Sequence, residues 1–293
     1  MDDRLCYAYA VVGSSAAAEL TGVRGVAGAP VTLVRSGPVA AAVSAVPREG
    51  FSEAALKAGL EDLEWLEATA RAHHSVIEAL AAHTTVLPLR LATVYLDEAR
   101  VRQMLDDREA DLAALLDRLA DQVEWGVKVY AEVPPPSAPS APPPAADTGA
   151  AAGAEAGAEA GADAGGAEAG AEAGADAGRA YLRRRRHQRQ AREDAWRTAE
   201  EAVRRTELQA RGLAVERTRH RPQQGGLTRG VAGENVANDA YLVPRRLSEE
   251  FRTRMLHAAD DLPGVRVDVT GPWAPYSFAA PLAPDAQEGA GQR

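Results

Sequence analysis

One stretch of the chain, residues 134–178, limits what the rest can fold into. Its 45 residues contain no Leu, Ile, Val, Phe, Tyr, Trp or Met, and hold seven Pro and nine Gly. A segment without large apolar side chains has nothing to bury against the entropy of ordering, about 1–2 kcal/mol per residue for the backbone alone. Its later part repeats Gly-Ala-Glu-Ala with a period of four. As a helix the repeat sets one Gly in each turn, at about 0.8–1 kcal/mol each relative to Ala. Residues 134–178 are therefore expected to be a disordered Ala/Gly/Glu insert. Foldable material is confined to the two flanks, 248 of the 293 residues.

The insert also accounts for most of the charge. Of the formal net charge of −9, −7 comes from Asp147, Glu155, Glu159, Asp163, Glu168, Glu172 and Asp176, with no Lys or Arg among them. The flanks are nearly neutral, which gives no electrostatic case for nucleic-acid binding. The single cysteine, Cys6, excludes an intrachain disulfide and a Cys-based zinc site and fits a reducing cytoplasm. No run of 18 apolar residues occurs, and no apolar core follows Met-Asp-Asp-Arg, so neither a transmembrane helix nor a signal peptide is expected.

Before the insert, residues 5–12 read as a Tyr- and Val-rich strand, and 16–20 have room for a helical turn. Residues 31–35 and 39–46 flank Ser36-Gly37-Pro38 as a hairpin. Ser52 suits the N-cap of a long helix with Leu56, Leu60, Leu63, Leu66, Ala70, Ile77 and Leu80 on one stripe. Residues 86–95 return as a strand, with Pro88 confined to a strand start or a sheet edge. The order β-α-β-β-α-β is the ferredoxin-like pattern. Asp97 then caps a helix in which Val101, Leu105, Leu112, Leu115 and Leu119 keep a 4-3 spacing broken at Arg108, and 123–133 is a strand.

Beyond the insert, a charged helix is expected from Arg179 to about Arg211, with Leu182, Trp196, Ala199, Val203 and Ala210 on its seam. It is expected to pair with the 98–121 helix as an antiparallel coiled coil and to stop at Gly212. A strand at 213–218, a Gln223-Gln224-Gly225-Gly226 turn, a strand at 237–243, a short helix capped by Ser248 and a strand at 265–270 complete a second β-α-β-β-α-β set. The expected class is α+β: two ferredoxin-like halves joined by a helical, coiled-coil region. The expected domains are 1–96, then 97–133 together with 179–283, with the insert at 134–178 and a flexible tail at 284–293.

Residues that carry chemistry are sparse. The six histidines, His73, His74, His83, His187, His220 and His257, show no metal-ligand spacing and read as packed or exposed side chains. Cys6 lies at a strand start with no His to activate it. The glycines of 22–28 do not match a dinucleotide fingerprint. No catalytic, cofactor-binding or metal residue is expected, and no cofactor. The basic run Arg183-Arg184-Arg185-Arg186 is open to three readings: a nucleic-acid arm, a solvated helix face or a patch for a protein partner. Glu193, Asp194, Glu200 and Glu201 balance it and favour the solvated face. The acidic insert upstream is placed to screen the arginines.

Three stretches stand out from this background. The first is Val86-Leu87-Pro88-Leu89-Arg90-Leu91-Ala92-Thr93-Val94-Tyr95, and the second Ala240-Tyr241-Leu242-Val243-Pro244-Arg245-Arg246. The third, Gly271-Pro272-Trp273-Ala274-Pro275-Tyr276-Ser277-Phe278, concentrates aromatics in a chain that is 5% aromatic as a whole. With Tyr7 and Tyr9 in the first strand and the Tyr181-Leu182 pair opening the charged helix, they resemble the gas vesicle protein family of GvpL and GvpF. Leu91-Ala92 stands where that family usually has Phe-Gly, Ala274 where it has Pro, and the insert is long for the family. The resemblance implies a non-enzymatic accessory or minor structural protein of gas vesicle assembly, cytoplasmic and vesicle-associated. Its implied partners are the hydrophobic shell protein and other gas vesicle proteins, with no nucleic acid, membrane or small-molecule substrate. Motif or partner-contact candidates are Leu87, Pro88, Arg90, Thr93, Tyr181, Leu182, Arg183, Arg186, Tyr241, Leu242, Gly271, Pro272, Trp273, Pro275, Tyr276 and Phe278. The competing class is a ferredoxin-like small-ligand sensor or enzyme, because that fold hosts many functions.

Overall fold

The computed structural model describes residues 3–16, 22–132, 166–222 and 233–279. Its first sheet is built from β1 (Arg4–Gly13), β2 (Thr32–Ser36), β3 (Val39–Pro47), β4 (Val86–Pro88) and β5 (Val94–Tyr95). The order is β2-β3-β1-β4, β5 also pairs with β1, and every pairing is antiparallel. Every residue of β1 from Leu5 to Val12 is buried. The strand is thus an unbroken apolar run, the pattern of a sheet covered on both faces. Tyr7, Tyr9 and Val12 share one core with Phe51, Val76, Ile77 and Leu80. These come from α1 (Arg48–Phe51) and α3 (Leu63–Ala81), which follow β3 together with α2 (Glu53–Glu61). Cys6, Ala8 and Val11 share the other core with Val101, Leu105 and Leu112 of α4 (Glu98–Asp107) and α5 (Glu109–Arg118).

Local chemistry explains the boundaries. The Ser52 hydroxyl accepts the Ala55 N–H at 3.4 Å, and Asp97 accepts the Arg100 N–H at 2.8 Å, so both caps form as expected. The long helix after Ser52 is instead two. Asp62 breaks it and caps α3 by accepting the N–H groups of Glu64 and Trp65 at 2.9 and 3.2 Å. Leu60 and Leu63 flank this break and leave the expected stripe for solvent. Residues 86–95 likewise form two short strands, because the chain turns at Ala92, whose φ is 62°. Pro88 ends β4 at the sheet edge, where its missing N–H costs no ladder bond. Between β1 and β2 the described residues hold a 3-10 turn, Val26–Gly28, while residues 17–21 lie outside them.

The second sheet contains β6 (Gln122–Ala131), β7 (Glu216–His220), β8 (Glu234–Pro244) and β9 (Val265–Trp273) in the antiparallel order β7-β8-β6-β9. Two helices, α6 (Gly166–Ala210) and α7 (Ser248–Leu256), cover it. Ala195, Ala199 and Ala202 of α6 close onto Val129 and Ala131, and Phe251 and Met255 of α7 onto Trp125 and Tyr241. Ser248 is not the cap of α7: it is the first helical residue, and its hydroxyl accepts the Trp125 indole N–H at 2.9 Å.

The expected coiled coil does not form among the described residues. The 98–118 stripe is used on the second apolar face of the first sheet, formed by Cys6, Ala8, Val11 and Val43, while the α6 seam is used on the second sheet. The helices grouped above with the C-terminal domain therefore pack on the N-terminal sheet. Helix α6 also begins earlier than Arg179, at Gly166. Extending an existing helix costs far less than nucleating one, so the Ala and Glu of the repeat carry it upstream despite the Gly. The remainder of the insert, the 223–226 turn and the 284–293 tail lie outside the described residues.

Candidate functional site at the junction of the two sheets

The three unusual stretches converge on one core. Leu87 and Leu89 from the β4 stretch, Leu242 from β8 and Phe278 from the terminal segment all lie in the cluster that α4 and α5 complete with Leu105, Leu112 and Leu119. The cluster takes side chains from both sheets, so the junction is an apolar core rather than a wet interface.

Residues 271–279 fasten this junction from outside. The segment begins inside β9 at Gly271, where the register with β6 shifts and where a φ of 135° and close approach favour Gly. A Cβ there would lie 2.8 Å from the Glu124 carbonyl oxygen and 3.0 Å from Trp125 Cε3. Trp273 pairs with Glu124 across β9 and β6, and its ring centroid lies 5.4 Å from that of His74 on α3. The Tyr276 ring stacks on His74 at 6.2 Å, and its hydroxyl is 3.2 Å from His74 Nδ1, while Nε2 is 3.1 Å from Glu78. Ser277 grips β6: its N–H and hydroxyl each donate to the Glu124 carboxylate at 2.7 Å. His220 Nε2 lies 3.0 Å from the same hydroxyl. Arg118 of α5 donates to the Phe278 carbonyl at 2.8 Å and to Glu216 at 2.6 Å. Ala274 packs under α3, and Phe278 and Ala279 enter the shared core.

Glu124 is the buried charge of this arrangement. Burial pushes its carboxyl above the usual Glu range, although the two Ser277 donors and nearby His220 pull it down. Next to the start of β6 opens a cleft of about 610 Å³ between the halves, bounded by α3, Asp121, Gln122 and Val123, Arg245 and residues 272–275. Two of the lining residues are tied together, the Arg245 backbone N–H donating to the Asp121 carbonyl at 2.8 Å. Among the described residues no three His, Cys, Asp or Glu side chains gather as a metal site requires.

The remaining candidates divide. Pro88 pairs with Ala10. Thr93 donates its hydroxyl to the exposed Arg90's carbonyl at 2.7 Å and accepts the Ala8 N–H at 2.9 Å, so both residues shape the β4–β5 turn. Tyr241 is buried against Phe251 with the Arg217 guanidinium 5.7 Å from its ring centre. Tyr181 and Leu182 are 59% and 57% exposed, and with Arg183 and Arg186 they lie on α6 away from the junction.

Sequence reasoning missed His74, Arg118, Glu124 and His220. Only Glu124 carried a signal, as a lone carboxylate between Val123 and Trp125 in an apolar strand. His73, beside His74, is a core residue: its Nδ1 is 3.1 Å from the Tyr7 hydroxyl, and burial lowers its pKa to about 4. Burial, with Glu98 and Asp97 nearby, pushes the Cys6 thiol up to about 12, as suits a packed and inert cysteine.

The chain belongs to the family of gas vesicle synthesis proteins GvpL/GvpF, whose model matches residues 5–280, from β1 through the terminal segment. It is 43% identical over 286 residues to gas vesicle protein L of Streptomyces sp. (strain CB03234), a match covering 98% of this chain and 97% of that protein. Its fold is similar to two crystal structures of gas vesicle protein GvpF. That from Anabaena sp. PCC7120 superposes with a TM-score of 0.58 at 16% identity over 94% of this chain and 96% of the other. That from Microcystis aeruginosa gives 0.57 at 17% identity over 94% and 98%.

Proposed function

We propose that this protein is a non-enzymatic accessory or minor structural component of gas vesicle assembly that binds the hydrophobic shell protein and other gas vesicle proteins. It acts in the cytoplasm and at the vesicle. The observation that carries this reading is the family match over residues 5–280. The geometry supports it, because the polar groups at the junction are engaged with one another: His74 with Tyr276, Glu124 with Ser277, and Arg118 with Phe278. In this reading each sheet with its helices is a ferredoxin-like half. Leu87, Leu242, Gly271, Pro272, Pro275 and Phe278 hold the halves in register, with Trp273 and Tyr276 at the rim, while Pro88, Arg90 and Thr93 shape the first sheet's edge and Tyr241 packs under α7. Tyr181, Leu182, Arg183 and Arg186 on α6 face partners, as do the exposed Leu60 and Leu63.

Deletion of the gene, scored by gas-filled vesicles and by co-purification of the shell protein with the tagged chain, tests the reading. Loss of vesicles with capture of the shell protein is expected, and unchanged vesicles with no capture overturn it. The cleft is the feature a small-ligand sensor would use, and a reproducible thermal shift with a metabolite would favour that class.

A further inference from the structure

The net charge hides a segregation of sign. Residues 1–133 hold 20 acids and 12 Lys or Arg, while residues 179–293 hold 15 acids and 21 Arg. The N-terminal flank is therefore −8 and the C-terminal flank +6. In each flank one exposed place combines the prevailing charge with large apolar side chains left in water.

The acidic place is the corner between α2 and α3. The helix break at Asp62 leaves Leu60 and Leu63 49% and 81% exposed. Exposed Glu61, Asp62 and Glu64 surround them. Among the described residues Glu61 and Glu64 have no ion-pair partner. The basic place is the projecting part of α6. Residues 181–194 are exposed, and Ala195 is the first described side chain of the helix to be buried. From Tyr181 to Ala195 is 14 residues of helix, about 21 Å at 1.5 Å per residue. The exposed Tyr181 and Leu182 lead into Arg183, Arg184, Arg185 and Arg186, which have no ion-pair partner among the described residues. Arg185 follows Tyr181 by four residues and Leu182 by three, so it shares their side of the helix.

Either patch alone reads as a solvated face. Together they match: two apolar side chains within a rim of carboxylates, and two beside a run of guanidinium groups. Exposed apolar groups mark contact surfaces, and opposite charges around them steer and orient the contact. Within one chain the patches do not meet, since all four apolar side chains stay exposed.

We propose that the occupant of each patch is a second copy of this chain, the Tyr181–Arg186 face of α6 in one copy docking on the Leu60–Glu64 corner of the next. The two sides of the contact differ, so every copy keeps one patch free and can add another copy, giving a ring or an open row. The patches are small, so the contact is weak, concentration-dependent and sensitive to salt. They meet between copies whether or not a shell protein is present, so this contact and the role proposed above can fail separately.

Sedimentation equilibrium of the purified full chain tests this at about 0.01–1 mM protein, a range suited to a weak contact. At about 0.05 M salt the average mass should climb with concentration beyond that of a dimer. It should fall back toward the monomer at about 1 M, where the screening length is about 3 Å. Two variants each remove one patch. One carries Leu182→Ser, Arg184→Gln and Arg185→Gln, and the other Leu63→Ser, Glu61→Gln and Glu64→Gln. All these positions are exposed, so the core is untouched. Each variant alone should be monomeric. Their equimolar mixture should form a pair and nothing larger, because each brings the patch the other lacks, and pairing also shows that both are folded. A wild type that stays monomeric throughout, an association that survives in either variant, or a mixture that stays monomeric overturns the proposal. A monomeric wild type whose capture of the shell protein is lost in the α6 variant overturns it too, and gives the face to that partner.

Discussion

Replacing Phe278 with Ala removes the side chain by which the terminal segment enters the shared core. Phe278 is 4% exposed and sits with Leu87, Leu89, Leu119 and Leu242. A buried Phe→Ala change costs about 3–5 kcal/mol, from lost transfer free energy and the cavity left behind. The lower end applies here. Phe278 lies on a chain exit rather than inside a strand, so its neighbours can partly close the gap while Ser277, Tyr276 and Arg118 still hold the segment. A loss of about 3 kcal/mol is expected, with a fall in Tm of about 6–12 °C for a protein of this size. Urea melts followed by Trp fluorescence should show a lower midpoint at unchanged slope. Because Leu87 lies on the other sheet, Leu87→Ala and Phe278→Ala should be coupled by at least about 0.5 kcal/mol in a double-mutant cycle. A loss below about 1 kcal/mol, or strict additivity, refutes the claim that these stretches share one core.

Three further outcomes follow from the same geometry. Gly271→Ala should cost at least about 2 kcal/mol, since a φ of 135° is strained for Ala and its Cβ meets the Glu124 carbonyl. A melt within about 0.5 kcal/mol of wild type contradicts this. Glu124→Gln should remove a pH step. A carboxyl raised by burial binds its proton more readily folded than unfolded, so its stabilising contribution is present below the ordinary Glu range and lost as pH rises through the raised value. Wild type should therefore lose stability relative to the variant as pH rises from about 4 to 8, and parallel curves would refute the assignment. Ala92→Gly should stabilise by about 0.5–1 kcal/mol, because relief of a left-handed Ala, about 1–2 kcal/mol, exceeds the added unfolded-chain entropy of Gly. A drop in Tm would contradict it.

What was legible in the chain, and what was not, follows from the range of the forces involved. Ser52 and Asp97 announce their helices because capping is local, and the Ser36-Gly37-Pro38 turn announces its hairpin for the same reason. The break at Asp62 was equally local and was hidden by the Leu stripe running through it. The partner of the 98–118 stripe was not legible, because a 4-3 pattern states only that a helix buries one side, and a sheet satisfies it as well as a second helix does. The terminal motif was conspicuous by composition, but its role rests on Glu124 and His74, 153 and 202 residues away from the Ser277 and Tyr276 they meet. Leu91-Ala92 is instructive in the other direction. At Ala92 the chain takes a left-handed turn with a residue that carries a Cβ, so an unremarkable Leu-Ala pair becomes a measurable strain.

The central structural claim, that residues 271–279 make the two sheets one unit, is tested most directly by native-state hydrogen exchange on wild type and Phe278→Ala. Amides of β1 and β4 in the first sheet and of β6 and β8 in the second should lose protection together, because all four strands contribute to or border the shared junction. A loss confined to 271–279, with both sheets protected as before, would show that the segment decorates the junction without holding it.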